Sequence, residues 1–275
     1  MILADFDYVR PVGLDEALTL LAGRPGARVL AGGQSLLPGL RTGEERASLL
    51  VDLRRLEELR GIGPVPGGLR IGALTTLAEL ATDPLVLAGA PEIAAAARAN
   101  GDPQVRNLGT AGGNLAATGR ATDLPVAAIA AGATAELAGP GGVSTLTAEE
   151  LAASGVPAGT VITALLVPVV TGGGAAFEKT ADRATRYPVC AAAVRITPDG
   201  PCIAVTGATA RALRLRRVEE RIGEGPYSTQ HVLAAFRAEP RELFVPGRGT
   251  SAEYLGHLAG VLTARALTRA VQAPA

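Results

Sequence analysis

Two glycine pairs, each followed directly by a polar side chain, constrain this chain more than any other feature. One stands in Ala31-Gly32-Gly33-Gln34-Ser35, the other in Thr110-Ala111-Gly112-Gly113-Asn114. Without a Cβ, glycine reaches left-handed dihedrals and lets backbone N–H groups converge on an anion. A helix opening just after such a loop adds unpaired N–H groups and a favourable dipole for phosphate. Ser35 brings a hydroxyl, Leu36 and Leu37 start a covering turn, and Asn114 offers both a donor and an acceptor to a sugar chain or phosphate oxygen. With 35 glycines in the chain, either pair alone reads as an ordinary bend. Their repeated placement points instead to a long, two-ended ligand, and a dinucleotide fits better than a single nucleotide. Neither loop carries a Gly-x-Gly-x-x-Gly fingerprint or a Gly-Lys-Ser/Thr ending, which argues against an ordinary dinucleotide-binding βαβ fold and against a P-loop hydrolase.

Composition narrows the function classes further. The 26 basic and 26 acidic side chains cancel, so no electrostatic footprint for nucleic acid is present. Aromatic residues make up 3% and Trp is absent, which removes stacking platforms for bases. A chain of 275 residues with 48% hydrophobic content supports a substantial core and more than one compact unit. The two cysteines, Cys190 and Cys202, match no ligand spacing and read as reduced, partly buried thiols. An iron–sulfur cluster, which usually takes about four protein ligands, would have to sit on another chain. Met1 to Asp7 lacks the pattern of a signal peptide, and the Ala-rich stretches are broken before they could span a bilayer. A cytoplasmic protein without membrane insertion is expected.

Periodicity divides the chain into three textures. A strand over 6–11, a helix over 14–22 and strands at 28–31 and 48–53 form a small βαβ unit within residues 1–60. Residues 61–170 read as a larger α+β part: a strand at 69–73, a helix capped by Thr76, an Ala-rich helix over 91–98, a turn at 100–103 leading into the second glycine loop, and strands near 133–136 and 161–167. Pro168 and Gly172-Gly173-Gly174 mark the boundary before a terminal module over 175–275. There a strand at 175–179 precedes two strands joined at Asp199-Gly200. Helices over 214–221, 231–237 and 251–269 follow, the last with an apolar face of Leu255, Leu258, Val261, Leu262 and Leu267.

Few side chains stand out as chemical groups. Asp123, just after the second loop, suits either the hydroxyls of a sugar or a helix N-cap. Lys179, next to Glu178, reads first as half of a solvent-facing ion pair. His257 falls within the last helix as a structural residue, and His231 near a helix start as a surface one. No Ser/His/Asp order, paired carboxylates or His-rich metal set appears, so neither a catalytic residue nor a metal site is assigned. The chain reads as a cofactor carrier.

The longer motifs carry a resemblance. Ala31 to Pro38, Asp102 to Asn114 (DPQVRNLGTAGGN), Asp123-Leu124-Pro125, Phe177-Glu178-Lys179, Tyr187-Pro188 and Ala259-Gly260-Val261-Leu262 follow one another in the order found in the FAD-binding medium subunit of the molybdenum hydroxylases, the family of carbon monoxide dehydrogenase and xanthine dehydrogenase. The similarity covers essentially the whole chain. It implies an α+β fold: an FAD-binding domain of the p-cresol methylhydroxylase (PCMH) type, built of two α/β subdomains, then a C-terminal three-stranded sheet plus helices. It also implies FAD as the cofactor, cradled by Leu30, Ala31, Gly32, Gly33, Gln34, Ser35, Leu36 and Leu37 and by Thr110, Ala111, Gly112, Gly113 and Asn114. Asp123 would bind the ribityl or ribose hydroxyls, Lys179 would approach the isoalloxazine ring, Tyr187 would shield one of its faces, and Ile162 completes the set. Partners follow by the same route: a large subunit holding the molybdenum cofactor and a small iron–sulfur subunit, in a heterotrimer or its dimer. Gln34, Ala111 and the segment 116–121 depart from the commoner family pattern. Two other readings keep part of this picture, an independent FAD-dependent oxidoreductase and a non-enzymatic interaction protein with degenerate flavin loops.

Overall fold

The computed structural model describes residues 5–117, 121–169, 173–247 and 249–272; Met1 to Ala4, Thr118 to Arg120 and Gly172 lie outside them. The chain opens with β1 (Asp7–Val9), α1 (Leu14–Gly23), β2 (Ala27–Leu30), α2 (Leu36–Thr42) and β3 (Leu49–Asp52). These strands form a parallel sheet in the order β1-β3-β2. The central strand β3 reads Leu-Leu-Val-Asp and is buried along its whole length, as a parallel strand covered on both faces should be. Its closing Asp52 ties the sheet together. Arg54 donates to this carboxylate through Nε (2.9 Å) and Nη2 (2.8 Å), and Tyr8 on β1 donates its hydroxyl. Burial opposes ionisation of Asp52, but these donors outweigh it and hold the carboxyl well below the usual range.

The second part comprises β4 (Ile62–Val65), β5 (Gly68–Gly72), α3 (Leu77–Leu80), α4 (Pro84–Gly89), α5 (Pro91–Ala99), α6 (Pro103–Leu108), α7 (Ala111–Leu115), α8 (Asp123–Ala130), β6 (Thr134–Gly139), β7 (Gly142–Thr147), α9 (Ala148–Ser154) and β8 (Val161–Pro168). Its antiparallel sheet has the order β4-β5-β8-β6-β7. Sequence patterning found β5, β6 and β8 alone. The edge strands escaped it because β4 carries Gly63-Pro64, and β7 is a mostly exposed Ser/Thr strand without apolar alternation. In α8 all eight residues are buried, so this helix sits inside the molecule rather than on it.

The last part holds β9 (Ala175–Ala181), β10 (Pro188–Thr197), β11 (Gly200–Thr206), β12 (Leu213–Arg214), α10 (Arg216–Ile222), α11 (Thr229–Arg237) and α12 (Ala252–Gln272). The hairpin at Asp199-Gly200 forms as the turn signal required, with Gly200 at φ +110°. The sheet has four strands, in the order β12-β11-β10-β9. Its fourth member is Leu213–Arg214; where the sequence predicts a helix from Arg214, that residue pairs with Ala204 on β11, and α10 begins at Arg216.

Strand alternation gives this sheet two jobs. Phe177, Ala191, Ala193 and Ala204 face the core shared with α5 and α8, while Cys190, Ala192, Val194 and Val205 face α11 and α12. Alanines on the first face let α8 approach closely. Arg195, on the same face, reaches out of β10 into the second part. It donates to Glu92 Oε1 on α5 (2.7 Å), to the carbonyl of Ala131 after α8 (3.3 Å) and to that of Pro168 ending β8 (2.6 Å). Both ionic side chains are nearly free of solvent, 5% and 0% exposed.

Two stability measurements check this arrangement. Arg195→Met is expected to cost roughly 3–5 kcal/mol in urea unfolding, because Glu92 is left buried without its partner, while the double change Arg195→Met/Glu92→Met costs less. The lowered Asp52 contributes stability that is complete above the unfolded carboxylate value of ~3.9 and is lost as pH falls toward the folded value. Asp52→Asn should therefore flatten the acid limb of the stability profile.

Candidate functional site

Between the three parts lies a cleft of about 850 Å³, near the upper end of the ~300–1,000 Å³ usual for small-molecule sites. Both glycine motifs line it, and they do so as one unit. A Cβ on Gly32 would stand 2.2 Å from the carbonyl oxygen of Leu108 and 2.8 Å from Gly109 Cα, so the first loop nests against the backbone leading into the second. Gly33 turns the chain at φ +72°, a conformation that L side chains rarely adopt. Gly112 fits against Ala73, and a Cβ on Gly113 would meet Thr110 Oγ1 at 2.8 Å.

The two motifs then differ in what they present. In the first, none of the backbone N–H groups from Gly32 to Leu36 donates to any partner among the described residues. The first helical bond of α2 runs from Leu37 N–H to the Gly33 carbonyl (3.1 Å), so the preceding donors stay free at the cleft wall. Ser35, the N-cap, makes no side-chain cap bond, while Gln34 donates back to the Gly32 carbonyl (3.1 Å) and braces the loop. In the second motif the N–H groups are spent. Ala111 donates to the Thr75 carbonyl, Gly112 to that of Ala73 and Asn114 to that of Thr110, while Gly113 donates to the Thr110 hydroxyl that caps α7. A segment read as a loop is thus a helical turn, fixed by Thr110 at N-cap, a contribution of about 1 kcal/mol. What it offers the cleft is the Asn114 side chain. Asn114 Oδ1 accepts from Leu124 N–H (3.0 Å), and its Nδ2 makes no hydrogen bond among the described residues.

Asp123 lines the cleft from the first residue of α8; Thr122 is the N-cap. Its Oδ2 accepts from Asn100 Nδ2 (2.8 Å) and from Lys179 Nζ (2.9 Å). Oδ1 lies 2.8 Å from the same ammonium but receives no hydrogen bond of acceptable geometry. Burial pushes the Asp123 carboxyl up, against the pull of Lys179 and Asn100. The expected surface pair between Lys179 and Glu178 does not form. Neighbours on a strand point to opposite faces, so Glu178 meets Arg269 on α12 (2.7 Å) and Lys179 turns inward, 5% exposed. Lys179 stands behind Asp123 and is not part of the cleft wall.

Among the other expected site residues, Ala31, Leu36, Ile162 and Tyr187 line the cleft; Leu30 and Ala111 are buried outside its wall, and Leu37 lies outside it with its side chain exposed. Sequence reasoning missed several wall residues. Asn100 and Gly101 were seen only as a turn. The loop Val156 to Thr160 carries no motif, and Arg28 and Glu45 reach the cleft wall as an ion pair between distant segments. Thr185 and Arg186 join Tyr187 in the wall from the β9–β10 hairpin, where Arg186 takes a left-handed φ of 62°. Among the described residues no group of His, Cys, Asp or Glu could hold a metal ion, and no helix is long and apolar enough to cross a membrane.

Known proteins share this architecture. Residues 4–170 match the family model described as the FAD binding domain in molybdopterin dehydrogenase. The carbon monoxide dehydrogenase medium chain of Afipia carboxidovorans is 34% identical, over 98% of this chain and 98% of its own. The 6-hydroxypseudooxynicotine dehydrogenase complex subunit alpha of Paenarthrobacter nicotinovorans is also 34% identical, over 97% of this chain and 94% of its own. In three dimensions, a chain of the carbon monoxide dehydrogenase of Hydrogenophaga pseudoflava superposes with a TM-score of 0.91 at 32% identity, covering 99% of each chain. The C-terminal sheet and helices are included in that superposition, so the chain has a PCMH-type FAD-binding fold of α/β subdomains followed by a C-terminal sheet plus helices. The chain belongs to the family of FAD-binding domains of the molybdopterin dehydrogenases.

Proposed function

We propose that this chain is the FAD-carrying electron-transfer subunit of a multi-subunit molybdenum hydroxylase, working with a large molybdenum-cofactor subunit and a small iron–sulfur subunit. The observation that carries the reading is the make-up of the cleft wall: a row of N–H groups without partners among the described residues, and a buried carboxylate. A diphosphate needs the first and sugar hydroxyls need the second. The N–H groups of Gly32 to Leu36 would receive the diphosphate, aided by the Ser35 hydroxyl. Asn114 Nδ2 and Asp123 Oδ1 would hold the adjoining sugar chain as donor and acceptor. The hairpin residues Thr185 to Tyr187, which also line the cleft, would cover part of the ligand and restrict water there. When bound, FAD supplies the redox chemistry, accepting electrons from the partners' clusters and passing them to an external acceptor; the protein's part is binding, orientation and electrostatics.

In domain terms, residues 1–170 form the FAD-binding part, with a small βαβ subdomain over 1–60 and a larger α+β one over 61–170. Residues 175–275 form the C-terminal domain. Its relatives include carbon monoxide dehydrogenase medium chains, and with only two thiols, Cys190 buried and Cys202 half-buried, the clusters would sit on partner chains.

Equilibrium titration with FAD, followed by flavin absorbance near ~450 nm, tests the site. The wild-type chain is expected to bind FAD. Gly113→Val places a branched side chain in the cleft and displaces Thr110, and should weaken binding by about tenfold or more, equivalent to ~1.4 kcal/mol. Cys190→Ala, away from the cleft, should leave it within about twofold. Equal affinities in the two variants, or no flavin binding by the wild type, would contradict the assignment.

A further inference from the structure

The C-terminal sheet sends two buried cations into the second part, and together they form a clamp with two ends. Arg195 takes Glu92, in the first turn of α5, and the carbonyl of Ala131, at the C-terminus of α8. Lys179 takes Asp123, in the first turn of α8, and the carbonyl of Ala99, at the C-terminus of α5 (3.1 Å). The helices therefore run antiparallel, and each cation bridges an acid at the N-terminus of one to a carbonyl end of the other. Helix dipoles favour both placements, since acids sit well at N-termini and cations at C-termini. Only the Lys179 end opens on the cleft, because Asp123 belongs to its wall and Glu92 does not.

We propose that Lys179 is a positioning residue that acts on the cofactor cleft solely through Asp123, keeping that carboxylate ionised and aimed, without touching the ligand itself. This rests on the reading of the cleft as the FAD site. A carboxylate 2% exposed needs a compensating charge, and the ammonium at 2.8–2.9 Å supplies it. Ionised, Asp123 is an acceptor at both oxygens, and Oδ1 is the one not yet used in a hydrogen bond. Protonated, it would present a donor or a weakened acceptor to a ligand hydroxyl. Among the described residues no other charged group replaces Lys179; Arg98 on α5 is exposed and donates to the Ala81 carbonyl (2.8 Å). On the elements packed against α8, Glu92 and Arg195 are paired at the far end, and Arg214 is paired with Glu219. Glu149 is engaged by Arg216 and Glu150 by its own cap at Thr147. Burial pushes the Cys190 thiol up to about 12, and Cys202 is likewise raised, so neither carries charge at neutral pH. Asn100 contributes a neutral donor only.

The expected consequence is a pH dependence that appears only when Lys179 is removed. Lys179→Met should weaken FAD binding by about tenfold or more near pH 7 and recover affinity over a range of rising pH, as Asp123 loses its proton. The wild type and Lys179→Arg should bind with little change over that range. In an Asp123→Asn background, Lys179→Gln should change the affinity and the flavin midpoint potential by less than about twofold and a few millivolts respectively, since no carboxylate remains to serve. That pair leaves no unpaired buried charge and stands in if Lys179→Met does not fold. An affinity loss of equal size in the Asp123 and Asp123→Asn backgrounds, or a pH-flat loss in Lys179→Met, would overturn the proposal. A ligand-free arm separates it from the FAD reading. The carboxyl 13C resonance of Asp123 should report an ionised group at neutral pH in the wild type and a protonated one in Lys179→Met; an ionised signal in both would refute the role of Lys179 whether or not FAD binds.

Discussion

The structure depends on burying one short helix completely. Nothing in α8 faces solvent, and its single charged residue, Asp123, sits at its first position. Burying such a helix between two sheets yields a large apolar gain, at roughly 1.5–3 kcal/mol per large side chain, but it strands a carboxylate and the helix ends in a medium that cannot solvate them. Lys179 and Arg195 solve that problem from outside the second part. Because both come from the C-terminal sheet, the wall of the cleft and the C-terminal sheet are a single piece of chemistry. A buried pair is weak support for stability in itself, but breaking one by removing a partner is costly. That asymmetry makes these contacts specify how the two parts sit together.

The glycines illustrate how a motif can be recognised for one reason and needed for another. Close backbone approach to a ligand was the expected use. Gly32 and Gly112 are required first by packing, because the Leu108 carbonyl and Ala73 fill the places of their side chains. Packing the first loop so tightly against the second holds the N–H groups of Gly32 to Leu36 open, while the second loop closes its own into α7. The paired motifs are unequal partners: one presents backbone donors, and the other supports it and contributes Asn114.

Much of the fold was legible because local patterns and tertiary demands agreed. The parallel β1 to β3 unit, the Asp199-Gly200 hairpin and the apolar stripe of α12 all followed from period and turn chemistry. Edge strands β4 and β7 were invisible because exposure removes the alternation that marks a half-buried strand. The short strand Leu213–Arg214 was hidden because two residues carry no period at all. At the site, Gln34, Ser35, Asn114 and Asp123 stood out through their neighbours in sequence. Lys179 was misread in its pairing even though alternation along β9 already separates it from Glu178. Which of those two faces is interior depends on α8 lying on one side and Arg269 on the other, and no local signal carries that information. Arg28 with Glu45, and Asn100 with Asp123, are likewise contacts that exist only once the chain has folded.

Amide hydrogen exchange on the intact chain tests the clamp most directly. If Lys179 and Arg195 jointly hold α5 and α8, Arg195→Met should speed exchange in both helices and in the Asn100 turn that faces the cleft, while the β1-β3-β2 sheet keeps its wild-type protection. Unchanged protection of α8 in that variant would show that apolar burial alone secures the helix, and that the two cations are passengers in the interface.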